Sequence, residues 1–449
     1  MKNHSTDMTK GNIPKLIINF ALPLLAGNLF QQLYNTVDTI IVGNFVSGQA
    51  LGAIGSTTMI INTMIGFFTG LSTGGTIVIG QFFGARQEEQ VRKSSATLIS
   101  GTVILGIAFT FLGIILTPKL LYAVSTPDEV FHDAKTYLIF YFSGVIFLML
   151  YNMASGILRA VGDSKRPFYF LIISSLTNVA LDFFFVLICK MGIAGVALAT
   201  VISQGISAVL VVIVLLKTKE CYGISLKSLH IDFEILKRIL KFGIPGAFQL
   251  SITFLSNTFV QKYINFFGYE CIAGWTAFNK VDSFCLLPMQ SVSLSVTTFV
   301  SQNYGANQIE RAKKGVLVST VLIMTISALV MIPMLIFSHE LVCIFNRNEK
   351  IIYYAEYFLK VSAFFYVIRC LNQIYSGALR GFGNATVPMC VLLGSFVVFR
   401  QTYLFTATKL TDSFLPIALA YPIGWGVCSA AMVISYIVFM KRNKKSFKI

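Results

Sequence analysis

Apolar stretches long enough to cross a bilayer recur along the whole chain, each closed by a short polar, Gly/Pro-containing or charged segment. A helix of about twenty apolar residues spans a membrane. The pattern predicts twelve spans, near 16–42, 53–79, 95–117, 134–157, 168–189, 192–216, 242–266, 273–299, 316–338, 353–377, 388–408 and 416–440. Polar positions interrupt the first span in a regular way. Gln31, Tyr34, Asn35 and Asp38 fall at i, i+3, i+4 and i+7, one face of a helix. An isolated acid at that depth costs about 2.5–3.5 kcal/mol on the mildest insertion scale. The stripe therefore reads as the wall of a wet cavity. Span five adds Asn178-Val-Ala-Leu-Asp182, whose i, i+4 spacing sets amide and carboxylate side by side. Two membrane-buried acids facing one cavity do not both stay ionised without a cation, so either a proton is held or a metal ion binds. Oxygen donors of this kind suit a hard monovalent ion such as Na⁺. The competing reading is that Asn178 and Asp182 only tie helices together.

The basic residues orient the spans. With the N-terminus inside, Arg86, Arg92, Lys93, Arg159, Lys165 and Arg166 all fall on inner segments. So do Lys217, Lys219, Lys227, Lys237, Arg238 and Lys241, then Arg311, Lys313 and Lys314. Lys441, Arg442, Lys444, Lys445 and Lys448 close the chain on the same side. Outer segments carry only scattered ones, such as Lys119, Lys190, Arg347 and Lys409. Both termini are expected to be cytoplasmic.

The chain also repeats itself. Gln81-Phe-Phe-Gly-Ala85 returns as Gln302-Asn-Tyr-Gly-Ala306, and 302 − 81 = 221. Ser155-Gly-Ile-Leu-Arg-Ala-Val-Gly-Asp-Ser-Lys-Arg-Pro167 returns as Ser376-Gly-Ala-Leu-Arg-Gly-Phe-Gly-Asn-Ala-Thr-Val-Pro388, and 376 − 155 = 221. Pro23 in span one has Pro245 near the start of span seven. The expected fold is an all-α membrane protein, twelve transmembrane helices in two six-helix lobes. Six is even, so the lobes share orientation and relate by a pseudo-two-fold along the membrane normal, an arrangement of transporters with the substrate site between halves. The expected divisions are an N-terminal lobe over 1–216, a basic cytoplasmic linker over 217–241 and a C-terminal lobe over 242–449. Within the linker, Phe233-Glu-Ile-Leu-Lys-Arg-Ile-Leu240 has an amphipathic look and is expected to lie along the inner surface.

Composition agrees. Of 449 residues 55% are hydrophobic and 12% charged, with mean hydropathy +0.74, against roughly 25% charged in soluble domains. A sizeable soluble domain and a removable signal peptide are not expected. The +16 balance is explained by the inner basic loops, so no nucleic-acid partner is expected. Eight cysteines stand without a C-x-x-C pair, giving no zinc or disulfide framework. No G-x-x-x-x-G-K-[ST] loop and no H-E-x-x-H motif occur, and the four histidines lie near termini or loops. Neither ATP hydrolysis nor other enzymatic chemistry is expected.

On the two six-helix repeats, the Gln-x-x-Gly-Ala after spans two and eight, and the Gly-x-x-Arg-x-x-Gly-(Asp/Asn)-x-x-x-Pro after spans four and ten, the chain resembles the multidrug and toxin extrusion (MATE) transporters. Details favour the prokaryotic branch that includes the DNA-damage-inducible efflux proteins. The resemblance covers essentially the whole chain. It implies a cation pocket formed by an acid on span one and an Asn–Asp pair on span five, completed by a Tyr on span four and a Thr on span six. Residue by residue these match Asp38, Asn178, Asp182, Tyr137 and Thr200. It further implies a plasma-membrane exporter with no cofactor, a coupling ion that is Na⁺ or H⁺, and small, mainly cationic organic substrates. A monomer in the bilayer is expected.

The C-terminal half does not copy that pocket. Adding 221 turns Asp38 into Phe259 and Asp182 into Tyr403. Some MATE relatives carry acids on spans seven and ten; here span seven offers Gln249, Ser256, Asn257 and Gln261 instead. The half does hold Lys280 and Asp282 in span eight, Arg369 in span ten and Arg400 in span eleven. Two residues apart, Lys280 and Asp282 do not face one another. Asp282 is expected to pair with another helix, at Arg369 or Arg400, either as a tie in the bundle or as part of a substrate contact. Methionine and aromatic side chains, 14 Met, 40 Phe and 18 Tyr in all, suit flexible binding of flat cations. Met64, Phe67, Phe68, Met153, Met289 and Gln290 join Gln31, Tyr34, Asn35, Gln249, Asn257, Lys280, Asp282 and Arg369 as cavity candidates, and Pro23 and Pro245 are the hinge candidates. Gly70-Leu-Ser-Thr-Gly-Gly75 is expected to let helices approach closely. The first functional expectation is a secondary exporter of organic cations working by alternating access, with its coupling ion in the N-lobe. A lipid-linked precursor flippase of the same superfamily is the alternative.

Overall fold

Every expected span has a counterpart in the computed structural model, which describes residues 5–225, 227, 229–410 and 414–444. Lys445 and Lys448 of the basic C-terminal run lie outside the described residues. The first repeat is built from α1 (Ile13–Phe45), α2 (Gly48–Gly84), α3 (Glu88–Ala123), α4 (Asp128–Ser143), α5 (Val145–Ala160), α6 (Lys165–Phe183) and α7 (Gly192–Lys217). The second runs α8 (Phe233–Asn265), α9 (Tyr269–Gly305), α10 (Ile309–Ile336), α11 (Ser338–Cys343), α12 (Glu349–Ala363), α13 (Tyr366–Gly381), α14 (Thr386–Leu393), α15 (Arg400–Leu410) and α16 (Leu415–Arg442). Ten helices, counting each of α6 and α14–α15 with its π-helical stretch as one, are long and apolar enough to cross a membrane; the pairs α4–α5 and α12–α13 each make one bent span. Among the described residues the count is twelve.

The repeat survives in atomic detail. The two bent spans begin at Asp128 and Glu349 and end at Ala160 and Gly381, an offset of 221 at both ends, with bends of 46° and 59°. At the first bend a Cβ on Gly144 would lie 2.7 Å from Val201 Cγ2, so the close packing there needs glycine. The second bend falls at Phe364 and Phe365, and nothing in the local sequence explains it. Ser72 Oγ donates to the Asn152 carbonyl (2.7 Å) and Ser293 Oγ to that of Gln373 (2.7 Å). Thr76 Oγ1 donates to the Gly156 carbonyl and Thr297 Oγ1 to that of Gly377, both at 3.1 Å. Each of these pairs is again 221 apart.

The repeated loop motif has a backbone cause. Gly162 and Gly383 end their helices with φ of 84° and 83°, a conformation that costs glycine nothing and other residues more. The next residue then lies two positions before the following helix. Asp163 Oδ1 accepts from the Lys165 and Arg166 N–H groups, each at 3.1 Å, and Asn384 Oδ1 accepts from Val387 N (3.2 Å). A short polar side chain at that place satisfies N–H groups that the first helical turn leaves orphaned.

Two compact units emerge, and two helices are shared between them. The first holds 1–7 and 22–247, the second 8–21 and 248–449. Thus α1 changes unit next to Pro23, and α8 two residues after Pro245. In the first unit the start of α8 lies against α2 so closely that a Cβ on Gly70 would fall 2.3 Å from Ala247 N, and one on Gly74 2.5 Å from Gly243 N. The expected role of the Gly70–Gly75 run is visible here. The motif glutamines hold the incoming segments: Gln81 Oε1 accepts from Arg238 Nη2 (2.7 Å), and Gln302 Oε1 from Met8 N (2.9 Å).

Candidate functional site

In the first unit α1, α4 and α6 bring together the residues singled out in spans one, four and five. Asp182 is fully buried, and Asn178, one turn earlier on α6, is 2% exposed. Asp182 feels the charge of the Asp38 carboxylate, and Tyr34 and Tyr137 lie within electrostatic reach of both acids. Tyr137 is buried and stacks on Tyr141, ring centroids 6.4 Å apart. Thr200 donates to the Val196 carbonyl of its own helix (3.1 Å), leaving its oxygen lone pairs free of that bond. The decisive feature is what these groups lack. Both Asp182 oxygens, both polar atoms of the Asn178 amide and Asp38 Oδ1 are buried without a protein hydrogen-bond partner.

Orphaned buried polar atoms are rare, because each forfeits a hydrogen bond to water, and an ionised one costs far more. Five in one cluster mark a place built to be completed by something else. Carboxylate and amide oxygens fit a proton or a hard monovalent cation. Among the described residues no group of three His, Cys, Asp or Glu side chains converges.

The remaining N-half candidates separate. Gln31 and Tyr34 are half-buried and Asn35 is exposed. Met64 and Phe67 are half-buried and pack against the cluster that contains Tyr137. Phe68 and Met153 are enclosed, at 0% and 1% exposure, and Phe68 packs edge-on against Phe109 at 5.2 Å.

The second unit carries a different network. Arg369 Nη1 donates to Asp282 Oδ1 (2.8 Å), and Tyr366 Oη donates to the same oxygen (2.5 Å). The Arg369 guanidinium also lies 4.1 Å from the centroid of the Trp425 ring. Of the two partners considered for Asp282, the structure brings Arg369 to it. Arg400, 2% exposed, donates to Ser256 Oγ (3.0 Å) and Asn257 Oδ1 (2.9 Å). Gln249 accepts from Arg380 (3.1 Å). Lys280 and Gln290 are exposed, and Met289 is enclosed. Tyr141, Tyr366, Tyr421 and Trp425 were not singled out from the sequence. The i, i+4 spacing of Tyr137 with Tyr141, and of Tyr421 with Trp425, was the available signal.

Two six-helix repeats, one with a buried cluster of orphaned oxygens and the other with a buried arginine network, define an integral membrane transporter and not an enzyme. The chain belongs to the MatE family, whose model matches residues 23–184 and 244–403. A probable multidrug resistance protein of Bacillus subtilis, YoeA, is 29% identical over 434 residues, 95% of this chain and 94% of its own. A second from the same bacterium, YpnP, is 30% identical over 405 residues, 89% of each chain. The multidrug export protein MepA of Staphylococcus aureus is 23% identical over 440 residues, 96% of this chain and 95% of its own. Among solved structures, an outward-facing multidrug resistance MATE transporter superimposes with a TM-score of 0.90 at 21% identity, covering 99% of both chains. A transporter of the same superfamily from Pyrococcus furiosus gives 0.90 at 21%, covering 98% of both. The fold is thus the twelve-helix, two-lobe one, and the chain is a transporter of the MatE family. These matches do not favour the flippase alternative.

Proposed function

We propose that the chain exports organic cations across a prokaryotic plasma membrane, driven by inward movement of Na⁺ or H⁺ that binds at Asp38, Asn178 and Asp182. The observation that carries this reading is the set of five buried, unpartnered polar atoms on those three side chains. Tyr137, within electrostatic reach of both acids, supports the same pocket, and Thr200 is assigned to it by the family resemblance. Both termini are cytoplasmic, and a single copy of the chain suffices.

The cycle follows from charge. Two acids within each other's field repel when both are ionised, so the empty pocket favours uptake of a cation from outside. Binding removes the repulsion and lets α1 pack more tightly on α6. Pro23 leaves a backbone carbonyl without its usual donor and softens α1 where it changes unit, so the tightened pocket is transmitted as a bend there. Pro245 gives α8 the corresponding freedom. Release of the ion inside reverses the step.

The test is efflux of a fluorescent organic cation from proteoliposomes with Na⁺ and pH gradients imposed separately. Wild type should respond to one of the gradients. Asp38→Asn and Asp182→Asn should each lose that acceleration by about a hundredfold or more, the loss of one charged contact in a dry site being worth roughly 3 kcal/mol. Gradient-driven efflux that survives both substitutions would overturn the assignment, and lipid scrambling without gradient dependence would return the flippase reading.

A further inference from the structure

A small cavity in the second unit gathers sulfur. It lies where α9 meets α10 and measures about 10 Å³, room for one particle of water size or smaller. Cys285 and Met289 line it from α9, and Met331 and Met334 from α10. The spacings, i and i+4 on one helix and i and i+3 on the other, put each pair on one helix face. Cys285 Sγ is 3.4 Å from Met334 Sδ, so two of the sulfurs are already in contact. Four of the nine lining residues carry sulfur, whereas the chain holds only 14 Met and 8 Cys among 449 residues. Composition alone does not give that clustering.

The hydroxyls at the cavity are already committed. Ser327 Oγ is 2.8 Å from Cys370 Sγ, and Tyr366 Oη donates to Asp282. A water there is short of the about two to four polar partners it needs, and a hard ion is short of oxygen ligands. What remains is thiol and thioether, the donors that soft cations select. The equivalent place in the first unit is filled by carbon. Subtracting 221 turns Cys285, Met289, Met331 and Met334 into Met64, Phe68, Thr110 and Gly113, with one sulfur left. Phe68 is fully buried, and a Cβ on Gly113 would fall 1.9 Å from Phe142 Cδ1. The second unit has Ala363 at the position of Phe142, a methyl group in place of that ring.

We propose that Cys285, Met289, Met331 and Met334, none of which belongs to the Asp38–Asp182 pocket, form a binding site for one Cu(I) ion. Binding exchanges the thiol proton for the metal. Cys–SH and Cu⁺ give a neutral Cys–S–Cu unit and release one H⁺ to water, with no change of oxidation state. The thioethers complete the coordination without adding charge. One thiolate cancels one positive charge, as a low-dielectric interior requires, whereas Zn²⁺ would keep an excess charge there. Three rotatable bonds in each methionine let the thioethers close on the ion while the helices stay in place. Cys285 is half-buried, which leaves the ion an entry path.

The probe is Cu(I) itself, kept reduced with ascorbate in anaerobic buffer and offered to the full chain in phosphatidylcholine nanodiscs. Bicinchoninate competes for the ion and reports by colour how much the protein retains. Wild type should keep one ion per chain, with only sulfur neighbours in its X-ray absorption spectrum. Its thermal midpoint should rise on loading, since the ion binds the folded state. Cys285→Ser should abolish retention. Met334→Leu conserves volume and therefore the fold, and should weaken retention by about tenfold or more even if Cys285→Ser fails to fold. Replacing the two exposed thiols, Cys189→Ser with Cys390→Ser, should change nothing. Wild type that yields its copper to the competitor, retention that survives Met334→Leu unweakened, or retention lost with the exposed thiols would overturn the site. Displacement of the copper by equimolar Zn²⁺ would do the same.

Discussion

Asp38 and Asp282 are both acids inside a helical membrane bundle, and their surroundings give them opposite roles. Asp282 is satisfied: a guanidinium and a phenol donate to one of its oxygens. Removing that carboxylate strands Arg369, so Asp282→Asn should lower stability by about 3 kcal/mol or more, as breaking one partner of a buried pair does. The check is the thermal midpoint of the detergent-solubilised protein, where Asp282→Asn combined with Arg369→Gln should recover part of the loss. Neither a guanidinium nor a phenol donates to Asp38 Oδ1 or to either Asp182 oxygen; the two carboxyls face each other instead, and their neutralisation should cost transport rather than folding. From the sequence alone each was only an expensive acid at a legible helical spacing. The identity of the partner was not, because Arg369 and Arg400 are both within the range of chain positions that could reach Asp282. Only packing decided between them.

Among the helices, α2 shows how a composition cue becomes geometry. Its glycines at 70 and 74 admit the backbone of α8 to distances no side chain tolerates. Gly74→Val should cost about 1–3 kcal/mol, the range for overpacking against atoms that cannot move aside, and should lower the thermal midpoint. Gly55 is the control: on the same helix, a Cβ added there would meet no atom within 4 Å, and Gly55→Ala should be tolerated. The bent spans were legible as single apolar runs, and their bends were not. Gly144 hints at the first, but Phe364 and Phe365 carry no signal for the second.

For the molecule as a whole, the exchange of helix halves between units is the feature with the largest consequence. Because 233–247 of α8 packs within the first unit, a fragment of 1–216 leaves the Gly70 and Gly74 face uncovered. Expressed in membranes, it should be more sensitive to limited proteolysis than a fragment of 1–265, which carries the whole of α8. Equal sensitivity would mean that this contact contributes little. The two units also differ in sign at their fifth spans, an aspartate facing a second carboxyl in one and, among the described residues, an arginine bonded to neutral side chains in the other, although the repeat holds in their hydrogen bonds.

The twelve spans, the two-fold repeat, the family and the polar stripes on spans one and five were all determined by the sequence itself, since hydrophobic runs, motif spacing and helical periodicity are local properties of a chain in a bilayer. Tertiary structure alone decided which buried polar groups find partners. That separated Asp282, held by Arg369 and Tyr366, from Asp38 and Asp182, and it left Arg400 a cation among neutral neighbours. Hydrogen bonding and charge compensation depend on distances of a few ångströms between helices far apart in the chain, and no local pattern encodes them.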